Sequence, residues 1–169
     1  MSRAEEQAAK IFSRAGFDVI WLNCAGKNLS PDIAASNKIE DTGHLVLRII
    51  SYPASSTSDA AFGVAYLAPN GTGRYGDVFW ERAQQLQAKW KADLGGILGS
   101  VMAHEIGHLL LGSNAHAISG IMRAHWESGE LRRIAMGTLV FLPEQAKRMQ
   151  MRMGESRAYL VSCGRAVGY

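Results

Sequence analysis

The chain has 169 residues, 47% of them apolar, which is enough for one domain with a substantial core and without a disulfide framework. Its 18 basic and 15 acidic residues give a formal net charge of +3, and no lysine or arginine block is present. This diffuse charge gives no support to nucleic acid or a membrane surface as a partner.

Membrane spans and export signals are not predicted from the pattern of apolar residues. The apolar runs are interrupted well short of the roughly 20 residues that cross a bilayer. Residues 1–10 are charged and lack the apolar stretch of a secretory signal, so the chain is either cytoplasmic or a secreted or periplasmic protein supplied without its leader. Cys24 and Cys163 lie outside any C-x-x-C spacing, and a disulfide between them and two free thiols both remain open.

The first half of the chain alternates between helical and strand patterns. Apolar residues at helical spacing predict an amphipathic helix over residues 2–15 that ends at Gly16. Residues 17–22, 44–51 and 61–68 read as strands, and residues 74–79 as a short edge strand after a turn at 69–73. The polar segments 23–43 and 53–59 are predicted loops, and residues 80–90 a helix.

Residues 93–111 are predicted to form a buried central helix. Asp93 is a capping residue, Gly112 a stop signal, and apolar residues surround much of the circumference between them. Four glycines lower its intrinsic helicity by up to ~1 kcal/mol each, which predicts close packing against a sheet. Further helices are predicted over 130–138 and 143–153, residues 113–129 are irregular, and the tail 160–169 gives no clear pattern.

The central helix contains the pattern H-E-x-x-H. His104 and His108 are one turn apart on the same face, so both imidazoles can reach one Zn²⁺ ion. Glu105 points aside from them and is suited to act as a general base on a metal-activated water. Two imidazoles and a carboxylate would be costly to bury in an apolar helix without a compensating partner, and a metal ion supplies one.

A catalytic zinc site normally has three protein ligands, so a third is expected outside the helix. Gly112 allows the chain to reverse, which brings His116 back towards the metal. A tight turn of Ser119, Gly120 and Ile121 then leads to Met122.

These residues resemble the signature of the metzincin clan of zinc peptidases, H-E-x-x-H-x-x-G-x-x-H followed by a turn with a methionine below the metal. The resemblance rests on His104, Glu105, His108, Gly112, His116 and Met122. It implies one α+β catalytic domain over residues 1–169, with an upper part to about residue 112 and a lower part from 113. In such a fold a twisted mixed sheet packs on the long active-site helix, above a small, mostly helical C-terminal part. The resemblance also implies an edge strand that aligns a polypeptide substrate, here residues 74–79 or the neighbouring strand.

The third ligand has alternatives, because the spacing departs from the clan pattern. Three residues separate His108 from Gly112 and three more precede His116, where the clan has two and two; strict register would place Asn114 there. Asparagine is a poor zinc ligand, which favours His116. The remaining alternatives are His125, and Glu127 or Glu130 as in thermolysin-like enzymes, whereas His44 is expected to be structural or exposed.

The sequence therefore predicts a zinc-dependent peptidase, with an endopeptidase favoured by the resemblance alone. The rival hypothesis is a catalytically silent zinc domain that binds peptides or a protein partner, although such a domain has no need of Glu105 as a base. Side-chain specificity, latency and oligomeric state are not predicted.

Overall fold

The computed structural model describes residues 3–23, 44–51, 61–153 and 158–164. Within these ranges the chain is mixed α+β, with five helices and five strands. In chain order they are α1 (Arg3–Arg14), β1 (Val19–Asn23), β2 (His44–Ile50), β3 (Gly63–Tyr66), β4 (Tyr75–Phe79), α2 (Trp80–Trp90), α3 (Leu94–Leu111), α4 (Ser128–Ala135), α5 (Pro143–Met153) and β5 (Ala158–Gly164). Cys24 and most of both predicted loops lie outside the described residues.

The strands form one mixed sheet in the order β1, β5, β2, β4, β3. β1, β5, β2 and β4 run parallel to one another, whereas β3 is antiparallel to β4. The prediction that residues 74–79 form an edge strand is wrong, because β4 pairs with β2 on one side and β3 on the other. Among the described strands, the edge next to β4 is its neighbour β3, and the opposite edge is β1. β5 is an inner strand formed within a tail that gave no clear pattern.

Helix α3 is the centre of the fold, as the sequence predicts. Every residue from Gly96 to Leu111 is buried, and the helix contacts α1, α2, α5 and strands β3 and β4. The Asp93 carboxylate accepts a hydrogen bond from the Gly96 amide at 2.7 Å, and Gly112 ends the helix with φ 62°. The helix is long and apolar enough to cross a membrane, but most of it is buried inside the protein, as in a core helix.

The glycines of α3 allow close packing, as predicted, but the prediction that they pack against the sheet is wrong. A side chain at Gly99 would meet the Ala4 carbonyl and Gln7 of helix α1 rather than the sheet. A Cβ at Gly107 would lie 2.7 Å from the Met122 sulfur, in the segment that follows the helix. The small residues therefore let α1 and the C-terminal part approach α3.

We expect Gly99→Ala to destabilise the protein by about 1–3 kcal/mol, the usual cost of overpacking. The substitution would normally favour a helix by up to ~1 kcal/mol, but here the new methyl group meets backbone of α1 that cannot move aside locally. Gly129→Ala in α4 is the matched control, because no atom lies within 4 Å of its Cβ position. Urea unfolding measures both changes, and a Gly99→Ala protein as stable as the control would contradict the close approach of α1.

Candidate metal centre

Three histidines come together at the end of α3, as the sequence predicts. His104 and His108 lie on one face of the helix and are buried, whereas His116 lies on the loop after Gly112 and is exposed. One nitrogen from each ring lies within 4.8 Å of the other two. Ring centroids are 4.9 Å apart for His108 and His116, and 5.4 Å for His104 and His116. The three side chains are close enough to bind one metal ion.

Backbone carbonyl groups fix the tautomers of the two helix histidines. The Nδ1 atom of His104 lies 2.7 Å from the Ile121 carbonyl oxygen, and Nδ1 of His108 lies 2.8 Å from that of Ser113. A carbonyl oxygen can only accept, so each Nδ1 must carry the proton and donate it. The Nε2 atom of each neutral ring is then left with a lone pair, as in histidines that bind metals.

The two Nε2 atoms face each other at 3.1 Å. Two lone pairs at this separation repel unless a cation lies between them, and a metal ion or a proton meets that need. Burial lowers the pKa of His104 to about 3, with a further contribution from His108. Burial likewise lowers the pKa of His108, and partial desolvation, with a contribution from His125, lowers that of His116. Near neutral pH the three rings are therefore uncharged and available as metal ligands.

The three histidines line a cavity with a volume of about 320 Å³, and Glu105 lines it as well. Its side chain lies against the edge strand: a Cβ built on Gly63 would be 2.7 Å from Glu105 Oε1. Burial raises the Glu105 pKa to about 8, and the charge of Asp77 adds to this effect. Within the described residues Glu105 has no hydrogen-bond or ion-pair partner of its own, so the carboxylate is available to a molecule in the cavity.

The loop after α3 is closed by its own backbone. Ala117 donates to the Met122 carbonyl at 2.8 Å, and Gly120 supports the turn with φ 75°. Ile121, whose carbonyl holds His104, is fully buried and donates to the Val140 carbonyl. Met122 is also fully buried, with its sulfur beside Gly107 of the helix turn that carries His108. The turn that leads to Met122 therefore packs against the end of α3, and the carbonyl of Ile121, its neighbour in sequence, holds His104.

The alternative ligands are placed differently. Asn114 and His125 line the cavity, whereas neither Glu127 nor Glu130 joins the histidine cluster in the part of the chain that the structure describes. Glu130 accepts hydrogen bonds from Arg123 at 2.9 Å and from the Glu127 amide at 3.0 Å. Burial raises the pKa of Glu130, but these two donors outweigh it and lower the pKa. The side chain of His44, at the start of β2, lies outside the described residues.

Sequence reasoning missed the wall of the cavity. The Trp126 ring lies edge-on to His104, with centroids 5.9 Å apart, and Phe62 stacks on Trp126 at 6.1 Å. Phe62 precedes the edge strand and Trp126 precedes α4, so no local pattern joins them. The sequence signal for this aromatic wall was Trp126 itself, a tryptophan four residues after Met122.

No protein-family model matches the chain, and searches of curated proteins and of solved structures find no match.

Proposed function

We propose that the protein is a zinc-dependent peptidase of the metzincin type, with Glu105 as general base and His104, His108 and His116 as metal ligands. One observation carries the proposal. The Nε2 lone pairs of His104 and His108 face each other at 3.1 Å while both Nδ1 protons are held by carbonyl groups.

The donor set fits zinc. Three neutral imidazoles suit this ion, and a three-histidine site leaves a fourth position open, as catalytic zinc sites do. At Zn–N distances of about 2.0–2.1 Å, two ligands of a tetrahedral ion lie roughly 3.3 Å apart. The 3.1 Å between the two Nε2 atoms is close to that value. A zinc ion held here would supply a Lewis acid that polarises the scissile carbonyl and activates water.

The chain's own part in the reaction falls to Glu105. Its carboxylate, beside the first histidine and open to the cavity, takes a proton from the attacking water and later delivers it to the leaving amine. Burial raises the pKa of Glu105 to about 8, which favours the protonated form that must donate, and the charge of a zinc ion held beside it would lower this pKa and favour the ionised form that must first accept the proton. A silent binding domain would have no need of this group.

The edge strand supports a polypeptide as the substrate. Residues 61–65 line the cavity, and β3 pairs with β4 on one side only among the described strands. An exposed strand edge binds an extended peptide through main-chain hydrogen bonds. A peptide paired with β3 would pass the histidine cluster with its carbonyl groups in reach of the site.

The metzincin assignment rests on the segment that follows the helix. Gly112 ends the helix with a positive φ, His116 lies with the two helix histidines, and the sulfur of Met122 packs beside Gly107 of the same helix. A thermolysin-like arrangement is less well supported, because the Glu130 carboxylate is bound to Arg123 and the Glu127 amide.

Chelator-sensitive cleavage of an unfolded protein tests the proposal. We expect zinc-loaded protein to cleave casein or a broad peptide library, to stop when a chelator removes the metal, and to resume when zinc is restored. Absence of cleavage by a fully zinc-loaded sample across the library would favour the silent binding domain instead.

We also expect Gly63→Ala to lower kcat/KM by about a hundredfold while the metal remains bound. The new methyl group would lie 2.6 Å from the Asp77 carbonyl oxygen of β4 and 2.7 Å from Oε1 of Glu105, so β3 or the carboxylate must shift, and misplacing a catalytic group by about 1 Å can cost that much. Gly129→Ala, where space is open, is the control. Kinetics beside metal analysis separate this outcome from loss of the site, and unchanged kcat/KM would place Glu105 elsewhere during catalysis.

A further inference from the structure

Arg152, in the last turn of α5, contacts two other parts of the fold. Its Nε atom donates to the Leu110 carbonyl oxygen near the end of α3 at 3.1 Å, and its Nη2 atom donates to the Gly71 carbonyl oxygen at 3.2 Å. Gly71 lies in the turn between β3 and β4. One guanidinium group therefore links the C-terminal helix, the helix that carries two of the histidines, and the turn that follows β3.

The bond to Leu110 completes the C-terminal end of α3. The last four carbonyl groups of a helix have no partner within it, and a buried carbonyl without a partner is costly. Here the first two of the four, in residues 108 and 109, accept from the amides of residues 113 and 112, which follow the helix. Leu110 is buried, and Arg152 supplies the donor for its carbonyl. The end of the helical turn that contains His108 thus depends on a side chain from α5.

The guanidinium group also confines Gly112, where the chain leaves the helix with φ 62°. A Cβ atom built on Gly112 would collide with the guanidinium group of Arg152 and would lie 2.7 Å from the Gly71 carbonyl oxygen. The backbone of Gly112 therefore lies against both groups, with no room for a side chain. Its position is fixed from outside α3, by α5 and by the turn after β3.

Two features of the metal centre begin at this point of the chain. The carbonyl of Ser113, the next residue, holds Nδ1 of His108 at 2.8 Å. His116 follows three residues later, and the far end of that short segment is held by a backbone hydrogen bond of Ala117. The positions of Gly112 and Ala117 therefore limit where the His116 ring can lie.

We propose that Arg152 is a positioning residue for the metal centre. It holds Gly112 and thereby fixes the Ser113 carbonyl and the start of the loop that carries His116. The part of this inference that concerns metal binding rests on the proposed function, whereas the orientation of His108 by the Ser113 carbonyl is a property of the chain alone. Groups that orient a ligand change metal affinity by about 10–100-fold, and Arg152 acts one step further away, so we expect an effect of about tenfold.

Zinc affinity and the ring nitrogens of His108 test the inference on the same variants. In Arg152→Gln we expect zinc to bind about tenfold more weakly in chelator competition. Nitrogen NMR spectra recorded near neutral pH without added metal should show the His108 proton on Nδ1 in the wild type. In Arg152→Gln the proton should be shared between both ring nitrogens, because a displaced Ser113 carbonyl no longer selects one tautomer. A spectrum of His108→Ala assigns the signal.

Gln150→Ala is the matched control, because Nε2 of Gln150 ties the same helix to the Ala15 carbonyl at 2.7 Å, and Ala15 does not line the metal cavity. This variant loses a hydrogen bond of α5 and should keep the zinc affinity and the His108 signal of the wild type. Arg152→Lys is a second variant in case the glutamine variant does not fold, since it keeps the charge but replaces the planar fork by a single nitrogen. It should change both readouts in the same direction as Arg152→Gln, by a smaller amount.

A folded Arg152 variant with the zinc affinity and the His108 signal of the wild type would overturn the inference, as would equal losses in Gln150→Ala. The outcomes are separable from those of the proposed function. A His108 signal that depends on Arg152, in a protein that binds zinc but cleaves no peptide, would remove the peptidase and leave the positioning role. Cleavage by a folded Arg152 variant with wild-type affinity and signal would do the reverse.

Discussion

Glu105→Gln is expected to lower kcat by about 10²–10⁴-fold while the protein keeps its full metal content, because general-base catalysis contributes an effect of that size. The amide has nearly the shape of the carboxylate, so the cavity and the contact with Gly63 are preserved. The glutamine amide, however, cannot accept a proton from water as the carboxylate does. Steady-state kinetics on a casein-derived peptide, with elemental analysis of the same sample, measure both quantities.

The control for this variant is Glu144→Gln, which makes the same chemical change on the exposed side of α5. Its kcat should equal that of the wild type. A Glu105→Gln protein that turns over at more than about a tenth of the wild-type rate would remove Glu105 from the reaction. Loss of metal in that variant would instead make Glu105 part of the metal site.

Removal of any one of the three histidines is expected to weaken metal binding by more than a hundredfold. Even groups that only orient a ligand change metal affinity by 10–100-fold, and a direct ligand should have a larger effect. Wild-type protein should hold one metal ion per chain, whereas His104→Ala and His108→Ala should hold almost none after dialysis. His116→Ala should lose its metal to a competing chelator first. Elemental analysis and chelator competition give these numbers.

Asn114→Ala and His125→Ala are the matched controls, because both residues line the cavity without being among the three histidines. Each should retain one metal ion per chain. Metal loss in Asn114→Ala with retention in His116→Ala would transfer the third position to Asn114 and restore the strict spacing of the clan pattern.

The sequence predicted those parts of the fold whose signals are local. Helix α3 could be read from its cap at Asp93, its stop at Gly112 and its apolar circumference. Strand β5 could not be predicted, because its short apolar run is not distinctive by itself. The strand forms between β1 and β2, which pair with it in the parallel sheet and are distant in sequence. The same limit applies to Gly99, whose small size was evident although its partner in α1 lies almost a hundred residues away.

The candidate site likewise has a part that the sequence predicts and a part that depends on tertiary packing. His104, Glu105 and His108 share one helical turn, so their spacing alone placed them together. The carbonyl of Ile121, which orients His104, and the contact between Glu105 and Gly63 depend on tertiary packing that no spacing rule contains. His116 is the intermediate case. The glycine after the helix predicted that the loop turns back, but not how close His116 comes to the two helix histidines.

Anomalous scattering at the zinc edge, from crystals of the zinc-loaded protein, tests the central claim most directly. We predict one peak at about 2.0–2.1 Å from Nε2 of both His104 and His108, with a nitrogen of His116 at the same distance. A fully loaded crystal in which the ion lies elsewhere, with the two Nε2 atoms turned away from each other, would contradict the claim.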